Sequence, residues 1–370
     1  MRIGVDLHTL TDFMQGSRTY IYNVTKALLA IDRTSEYYLY FAKRTNATVD
    51  RALRQSNVQH KEIWPSRRSL RLTVGLPMIL KMHKIDIFQC QYMGPLFTRC
   101  PYVVTIHDII HEKYPEFYPR NLGILMKLFY PFSAKRAKKI LTVSEYSKKE
   151  IRDIFKIPES KIEVIPNGVS NDFTVLNDIG KINEIKSKYN IEKEYILFVG
   201  RLEPRKNIKG LIEAYTLLKN RYNISQQLVI VGMIDALFPD FDIRLSGIES
   251  DVIFTGGVAQ EDLPYLYNGA DIFAYPSFAE GFGLPVLEAM ACGVPTVTSK
   301  TSSLPEVVGD AGVMIDPWDK EDIAYGIHKV LTEPGLHTRM REKGLERSRL
   351  FTWEATAERV LQIYREISEN

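Results

Sequence analysis

The residues of this chain best suited to chemistry lie at 278–295, FAEGFGLPVLEAMACGVP, where two carboxylates, Glu280 and Glu288, flank a Gly-Phe-Gly turn. Gly281 and Gly283 permit backbone angles closed to other residues and let a ligand approach the main chain. Pro285 suits the first turn of a helix, and Leu287, Met290 and Ala291 give that helix an apolar face. The spacing predicts Glu280 on the loop and Glu288 about one turn inside the helix. The first N–H groups of a helix have no intrahelical partner and attract phosphate or hydroxyl oxygens. A carboxylate beside such a start calls for a ligand carrying both phosphate and hydroxyl groups, which a nucleotide-sugar does. Taken alone, however, two glutamates at this separation occur on many surface helices.

A second group stands at 199–207, VGRLEPRKN, after an apolar run and before a helical one. Arg201 and Lys206 would then lie at the carboxyl end of a sheet, where open α/β folds bind ligands. Two fixed cations there can neutralise the charge that grows on a departing diphosphate without a metal. The competing reading is a solvated basic turn. No Asp-x-Asp stands at a strand end to hold a metal. A third group is VVTIHD at 103–108, an apolar strand ending in His107 and Asp108. A lone histidine is more often a surface or core group. His111, one turn on, reads as ordinary surface, and Asp108 reads as a cap for the following helix in preference to a partner for His107.

These groups need a frame, and the pattern supplies one. Short apolar, β-rich runs alternate with longer helical stretches, the sign of parallel sheets covered by helices. Strands are predicted at 3–6, 37–41, 87–90, 102–106, 139–143 and 162–165, then at 195–199, 227–231, 252–255, 272–275, 296–298 and 312–315. They make two sheets, and so two domains, as expected for a chain of 370 residues. The turn-rich stretch PNGVSNDF at 166–173 is the predicted hinge, with domains at 1–172 and 173–353. An amphipathic helix is predicted over 353–367.

Composition is that of a globular protein, 45% hydrophobic and 25% charged. No apolar run is long enough to cross a membrane, and MRIGVDLHTL reads as a buried strand instead of a signal peptide, so a cytoplasmic location is expected. Cys90, Cys100 and Cys292 have neither the number nor the spacing of a disulfide framework or zinc site. The net charge of +3 conceals a basic first half and an acidic second half. Arg67, Arg68, Arg71, Lys81 and Lys84 are interleaved with Leu70, Leu72, Leu76, Met78, Ile79 and Leu80. That stretch fits an anionic lipid surface and a solvated helix face equally well. Nucleic acid is not expected, since no zinc finger, RNA-recognition signature or basic-aromatic repeat accompanies the charge.

The segments EGFGLP, EAMACGVP and SLPEVVGDAG together resemble the E-x7-E region of family-four retaining glycosyltransferases, and VGRLEPRKN resembles their G-R-L-x-x-x-K pattern. The resemblance implies the GT-B fold: two Rossmann-like α/β domains with parallel sheets facing across a cleft, and a C-terminal helix (354–370) crossing back to the first domain. It further implies acceptor binding by the first domain and nucleotide-sugar binding by the second. By the same resemblance Arg201 and Lys206 oppose the leaving diphosphate, His107 and Glu280 serve the donor sugar, and Glu288 accepts from the ribose hydroxyls. Backbone groups of Gly281, Phe282, Gly283 and Leu284 serve sugar and phosphate, and those of Gly257 and Val258 the base. The first loop departs from the family's glycine-rich form and retains Gly16 as its clear backbone donor, beside Arg18 and Tyr20.

No metal and no cofactor is implied, the nucleotide-sugar being a substrate. GFGLPVLEAMACGVPTVTS with IHDIIHEKYPEFYP looks like bacterial mannosyl- and rhamnosyltransferases of surface-polysaccharide assembly, which puts GDP-mannose first. A UDP-hexose or activated rhamnose stays open as donor, with a glycan or lipid-linked glycan as acceptor. A sugar epimerase or phosphorylase on the same fold, and a non-catalytic nucleotide-sugar-binding protein, are the readings from other classes.

Overall fold

The computed structural model describes residues 1–10, 16–42, 51–65, 67–238, 243, 245 and 247–369. The chain divides into two compact units, one formed by Met1–Lys113, Arg120–Gly168 and Phe351–Asn370, the other by Tyr114–Pro119 and Val169–Leu350. The unit boundary falls at 168/169, inside the predicted hinge.

In the first unit the strands are β1 (Arg2–Asp6), β2 (Glu36–Phe41), β3 (Val58–Glu62), β4 (Ile87–Gln91), β5 (Tyr102–Thr105), β6 (Lys139–Thr142) and β7 (Ile162–Val164). They pair in the order β3-β2-β1-β4-β5-β6-β7, all parallel. In the second, β8 (Tyr195–Val199), β9 (Gln227–Val231), β10 (Val252–Gly256), β11 (Ile272–Tyr275), β12 (Thr296–Ser299) and β13 (Gly312–Ile315) pair in the order β10-β9-β8-β11-β12-β13, again all parallel. Parallel strands need crossovers that cover both sheet faces, so they read as unbroken apolar runs; β8, YILFV, is buried at every position. In each sheet the strand order reverses once, between β1 and β4 and between β8 and β11. Loops leave the carboxyl ends of the strands in opposite directions at such a point and open a crevice there.

The predicted strands are all present. One more exists, β3, which occupies a sheet edge and whose residues VQHKE are exposed or partly so. An edge strand has a neighbour on one side only and does not need the apolar run by which the others were recognised.

The last helix, Trp353–Glu369, belongs to the first unit, as expected, and packs along the helix Gly16–Ile31. Trp353, Ala357, Val360, Leu361 and Tyr364 are buried on it, Thr356 donates to the Pro166 carbonyl at 2.7 Å, and Arg359 Nε to Glu163 at 3.0 Å. Gly168 makes this return possible: a Cβ there would lie 2.2 Å from the Trp353 nitrogen. The segment Tyr114–Pro119, assigned by sequence to the first domain, instead joins the second unit, because Phe117 stacks on Phe278 with ring centroids 5.6 Å apart.

Candidate active site

The second unit's reversal point carries a cluster of paired charges. After β8 the chain runs through Arg201, Glu203, Arg205 and Lys206, and a 3-10 turn at Pro204–Lys206 brings the last two inward. After β11 it runs through Phe278 and Glu280 to Gly283, whose φ of 116° begins the helix Leu284–Ala291 with Pro285 in its first turn. Glu280 is on the loop and Glu288 inside the helix, as the spacing predicts.

Lys206 Nζ donates to Glu280 Oε1 at 2.6 Å and also to the Tyr275 hydroxyl. Tyr275 donates to the same carboxylate oxygen at 3.0 Å. Arg205 Nη1 donates to Glu280 Oε2 at 2.6 Å and to the Ala279 carbonyl at 2.8 Å, while its Nη2 reaches Glu203 at 2.6 Å. Burial alone would raise the Glu280 carboxyl, but Arg205 and Lys206 outweigh it and hold it at about 2. Burial pulls Lys206 below the usual lysine value, with Glu280 opposing. The loop itself is fixed from the next crossover: Ser302 Oγ accepts from the Glu280 N–H at 2.9 Å, and Ser303 Oγ donates to the carbonyls of Glu280 and Phe282 at 2.8 and 2.9 Å.

Glu288 is half-buried and accepts from the Tyr267 hydroxyl at 2.9 Å. Burial pushes its carboxyl up to about 7, with Tyr267 opposing. Two carboxylates from one loop-helix segment thus have separate states, one firmly ionised and one poised near neutrality. The Arg201 side chain, 39% exposed, pairs with buried Asp235 at 2.5 Å and, against burial, joins Arg205 and Lys206 in lowering the Glu203 carboxyl. Gly257 and Val258 follow β10, with Gly257 exposed and near the Met233 sulfur. The turn after β9 depends on Gly232, where φ is 146° and a Cβ would lie 1.9 Å from the Gly200 carbonyl oxygen.

In the first unit His107 is buried just past β5. Its Nε2 lies 2.8 Å from Gln91 Oε1, and Gln91 Nε2 donates to Thr9 at 3.1 Å, so the imidazole N–H is the donor to Gln91. Tyr20 packs edge-on to the ring at 4.8 Å, and burial lowers the group to about 3, so it is neutral across the physiological range. Asp108 caps the next helix, accepting from the Ile110 N–H at 3.2 Å. His111 is not surface: it is fully buried, edge-on to Tyr130, and lowered to about 4 by burial. Gly16 opens the helix Gly16–Ile31 and is exposed, whereas residues 11–15 of the same loop lie outside the described residues.

Sequence reasoning did not single out Arg205, Tyr275, Tyr267, Ser302 or Ser303. The strand-end position of Tyr275 and the neighbourhood of Arg205 and Lys206 were the available signals. Among the described residues, no group of three or more His, Cys, Asp or Glu side chains is placed to hold a metal ion. The three cysteines are free.

Residues 14–173 match the family model Glycosyltransferase Family 4, and residues 181–347 match Glycosyl transferases group 1. The O-antigen chain mannosyltransferase B of Escherichia coli is 37% identical over 71% of this chain and 70% of its own length. The serotype-specific mannosyltransferase WbdA of the same organism is 35% identical over 60% of this chain, which spans only 28% of that longer protein. Among solved structures, sucrose-phosphate synthase from Thermosynechococcus elongatus superposes with a TM-score of 0.78 at 20% identity, covering 99% of this chain and 98% of the other. The fold is GT-B, and the chain belongs to the family-four, group 1 glycosyltransferases. It is an enzyme of glycosyl transfer.

Proposed function

We propose that the protein is a retaining hexosyltransferase that moves an α-mannosyl residue from GDP-mannose onto a glycan or lipid-linked glycan. The observation that carries the reading is the Lys206–Glu280–Arg205 cluster at the β8/β11 reversal point, beside a helix start and the poised carboxyl of Glu288. The names of the mannosyltransferase relatives support the sugar.

In this reading Glu288 accepts from the ribose hydroxyls, and backbone groups at Gly257 and Val258 hold the base. Arg201 and Lys206 exchange Asp235 and Glu280 for diphosphate oxygens, and Glu280, freed of Lys206 but still held by Arg205, binds sugar hydroxyls along with the backbone of Gly281, Phe282, Gly283 and Leu284. Gly16 supplies a further backbone donor. His107, held neutral, is a hydrogen-bonding group for a sugar hydroxyl and not a proton-carrying acid. The bond from the anomeric carbon to the phosphate oxygen breaks, and the acceptor oxygen bonds to the same face. The departing phosphate takes the acceptor's proton, while the protein's share is positioning and charge stabilisation. No metal is required, since cations already oppose the leaving group.

The stretch 67–84 supports a membrane-side acceptor. Leu70, Val74, Met78 and Met82 are exposed along it, flanked by exposed Arg67, Arg68, Lys81 and Lys84. Arg71 leaves this surface: it is buried, and its Nη2 lies 2.9 Å from His8 Nε2. Among the described residues no helix is long and apolar enough to cross a membrane.

A thermal-shift panel of GDP, UDP and dTDP tests the donor. Ligand at a hundred times its Kd adds about 2.7 kcal/mol, a rise of about 5–10 °C for a unit of this size. GDP should give the largest shift; a larger one with UDP or dTDP would replace the mannosyl donor.

A further inference from the structure

Trp318 lies in the turn between β13 and the helix Lys320–Thr332, on the carboxyl edge of the second sheet, and 61% of it is exposed. An exposed aromatic side chain ordinarily has rotational freedom, which a ligand must remove on binding. Trp318 has little. Its ring stacks on Phe278 at 3.9 Å between centroids and 25° between planes, and Phe278 stacks in turn on Phe117 at 11°. Its turn and its stacking partner Phe278 are each tied once to the loop after β8. Asn207, the residue after Lys206, donates to the Pro317 carbonyl at 2.6 Å, and the Phe278 N–H donates to the Arg205 carbonyl at 3.0 Å. The Trp318 N–H bonds Asp316, which pairs with Lys300 at 3.1 Å.

An apolar ring thus lies exposed at the surface on top of Phe278, itself two residues from Glu280, and the backbone of its turn is held by Asp316, which pairs with Lys300. In the proposed reading Glu280 and the loop after β8 serve the donor; Trp318 follows β13. A flat apolar face edged by hydrogen-bonding groups matches a hexopyranose, which presents C–H bonds on its faces and hydroxyls around its rim.

We propose that Trp318 is a stacking platform for a hexopyranose ring of the glycan acceptor. The second unit then shares in acceptor binding and does not serve the donor alone. The inference rests on the glycosyltransferase reading and deepens it by placing a glycan subsite.

The test uses the full chain with Trp64→Phe, which removes the other exposed indole and leaves Trp353, 5% exposed, as a shielded background. Manno-, gluco- and galacto-oligosaccharides are titrated while acrylamide quenching of Trp318 emission is followed. At least one oligosaccharide should protect Trp318. By calorimetric titration, which does not need the Trp318 signal, Trp318→Ala should weaken binding of that oligosaccharide about tenfold, on the scale of a lost aromatic contact, and Trp318→Phe should restore most of it. Titration of the same proteins with GDP reports separately on the donor site and should be unchanged by either substitution. The proposal is overturned if no oligosaccharide shields Trp318, if GDP-mannose alone shields it, or if Trp318→Ala binds the protecting oligosaccharide as tightly as the parent.

Discussion

Replacing Glu280 by Gln should destabilise the second unit by about 3 kcal/mol at pH 7, and the loss should depend on pH in a direction set by its two cationic partners. Burial would raise this carboxyl, yet Arg205 and Lys206 hold it at about 2 against an ordinary 4.5. Each pH unit of that difference corresponds to about 1.4 kcal/mol, so the ionised group contributes about 3 kcal/mol. Because the folded value lies below the unfolded one, this contribution is complete above about pH 4.5 and is lost as pH falls towards 2. The same interaction viewed from the two cations, which the amide leaves without their shared carboxylate, is worth about 3–5 kcal/mol for buried pairs. Glu203, 2.6 Å from Arg205, keeps the cost at the lower end. Thermal and urea unfolding of both proteins at pH 7 and pH 3 is the assay. At pH 7 the variant should melt about 6–12 °C lower, and at pH 3 the gap should shrink to roughly half. A variant within about 1 kcal/mol of the parent at pH 7, or a gap indifferent to acid, would refute the assignment of Glu280 as the ionised hub of the cluster.

Nucleoside diphosphate affinity should rise as pH increases through about 7, because burial keeps Glu288 largely protonated below that value and the ribose hydroxyls need its carboxylate; calorimetry at pH 6 and pH 8 checks this, and the dependence should vanish in Glu288→Gln. Arg201→Ala and Lys206→Ala should each lower turnover far more than stability of the fold would explain, and turnover of the parent should survive EDTA; loss on chelation with recovery in magnesium or manganese would show that the cations do not act alone. Vesicle co-sedimentation should require anionic lipid and weaken with salt, since surface charges are screened beyond about 10 Å at 0.1 M. Arg67→Ser with Arg68→Ser should reduce it, while equal, negligible binding to neutral and anionic vesicles would favour a soluble acceptor.

The fold was legible because both sheets are parallel and covered. Runs such as YILFV and QLVIV have no polar face to hide, and the glycine-rich starts and prolines punctuate the crossovers. The edge strand VQHKE was not legible, since half its surroundings are solvent. The loop position of Glu280 and the helix position of Glu288 followed from local turn chemistry. The pairing of Glu280 with Lys206 did not, because it joins residues 74 apart and depends on β8 and β11 lying side by side. Arg71 and His111 were misjudged for a related reason. Residue type makes each a surface group by default, and only packing shows that His8 and Tyr130 receive them. Phe117 was placed in the wrong unit because its ring partner, Phe278, is far along the chain.

Whether the second unit holds the donor is decided by calorimetric titration of the parent and of Glu288→Gln with GDP. At pH 8, where Glu288 is mostly ionised, a neutral amide accepts more weakly than the carboxylate from the ribose hydroxyls, so the variant should lose about 1–3 kcal/mol of binding, which is about 5- to 150-fold in Kd. Equal affinity in the two proteins would remove Glu288 from the ribose site, and with it the placement of the donor on the helix Leu284–Ala291.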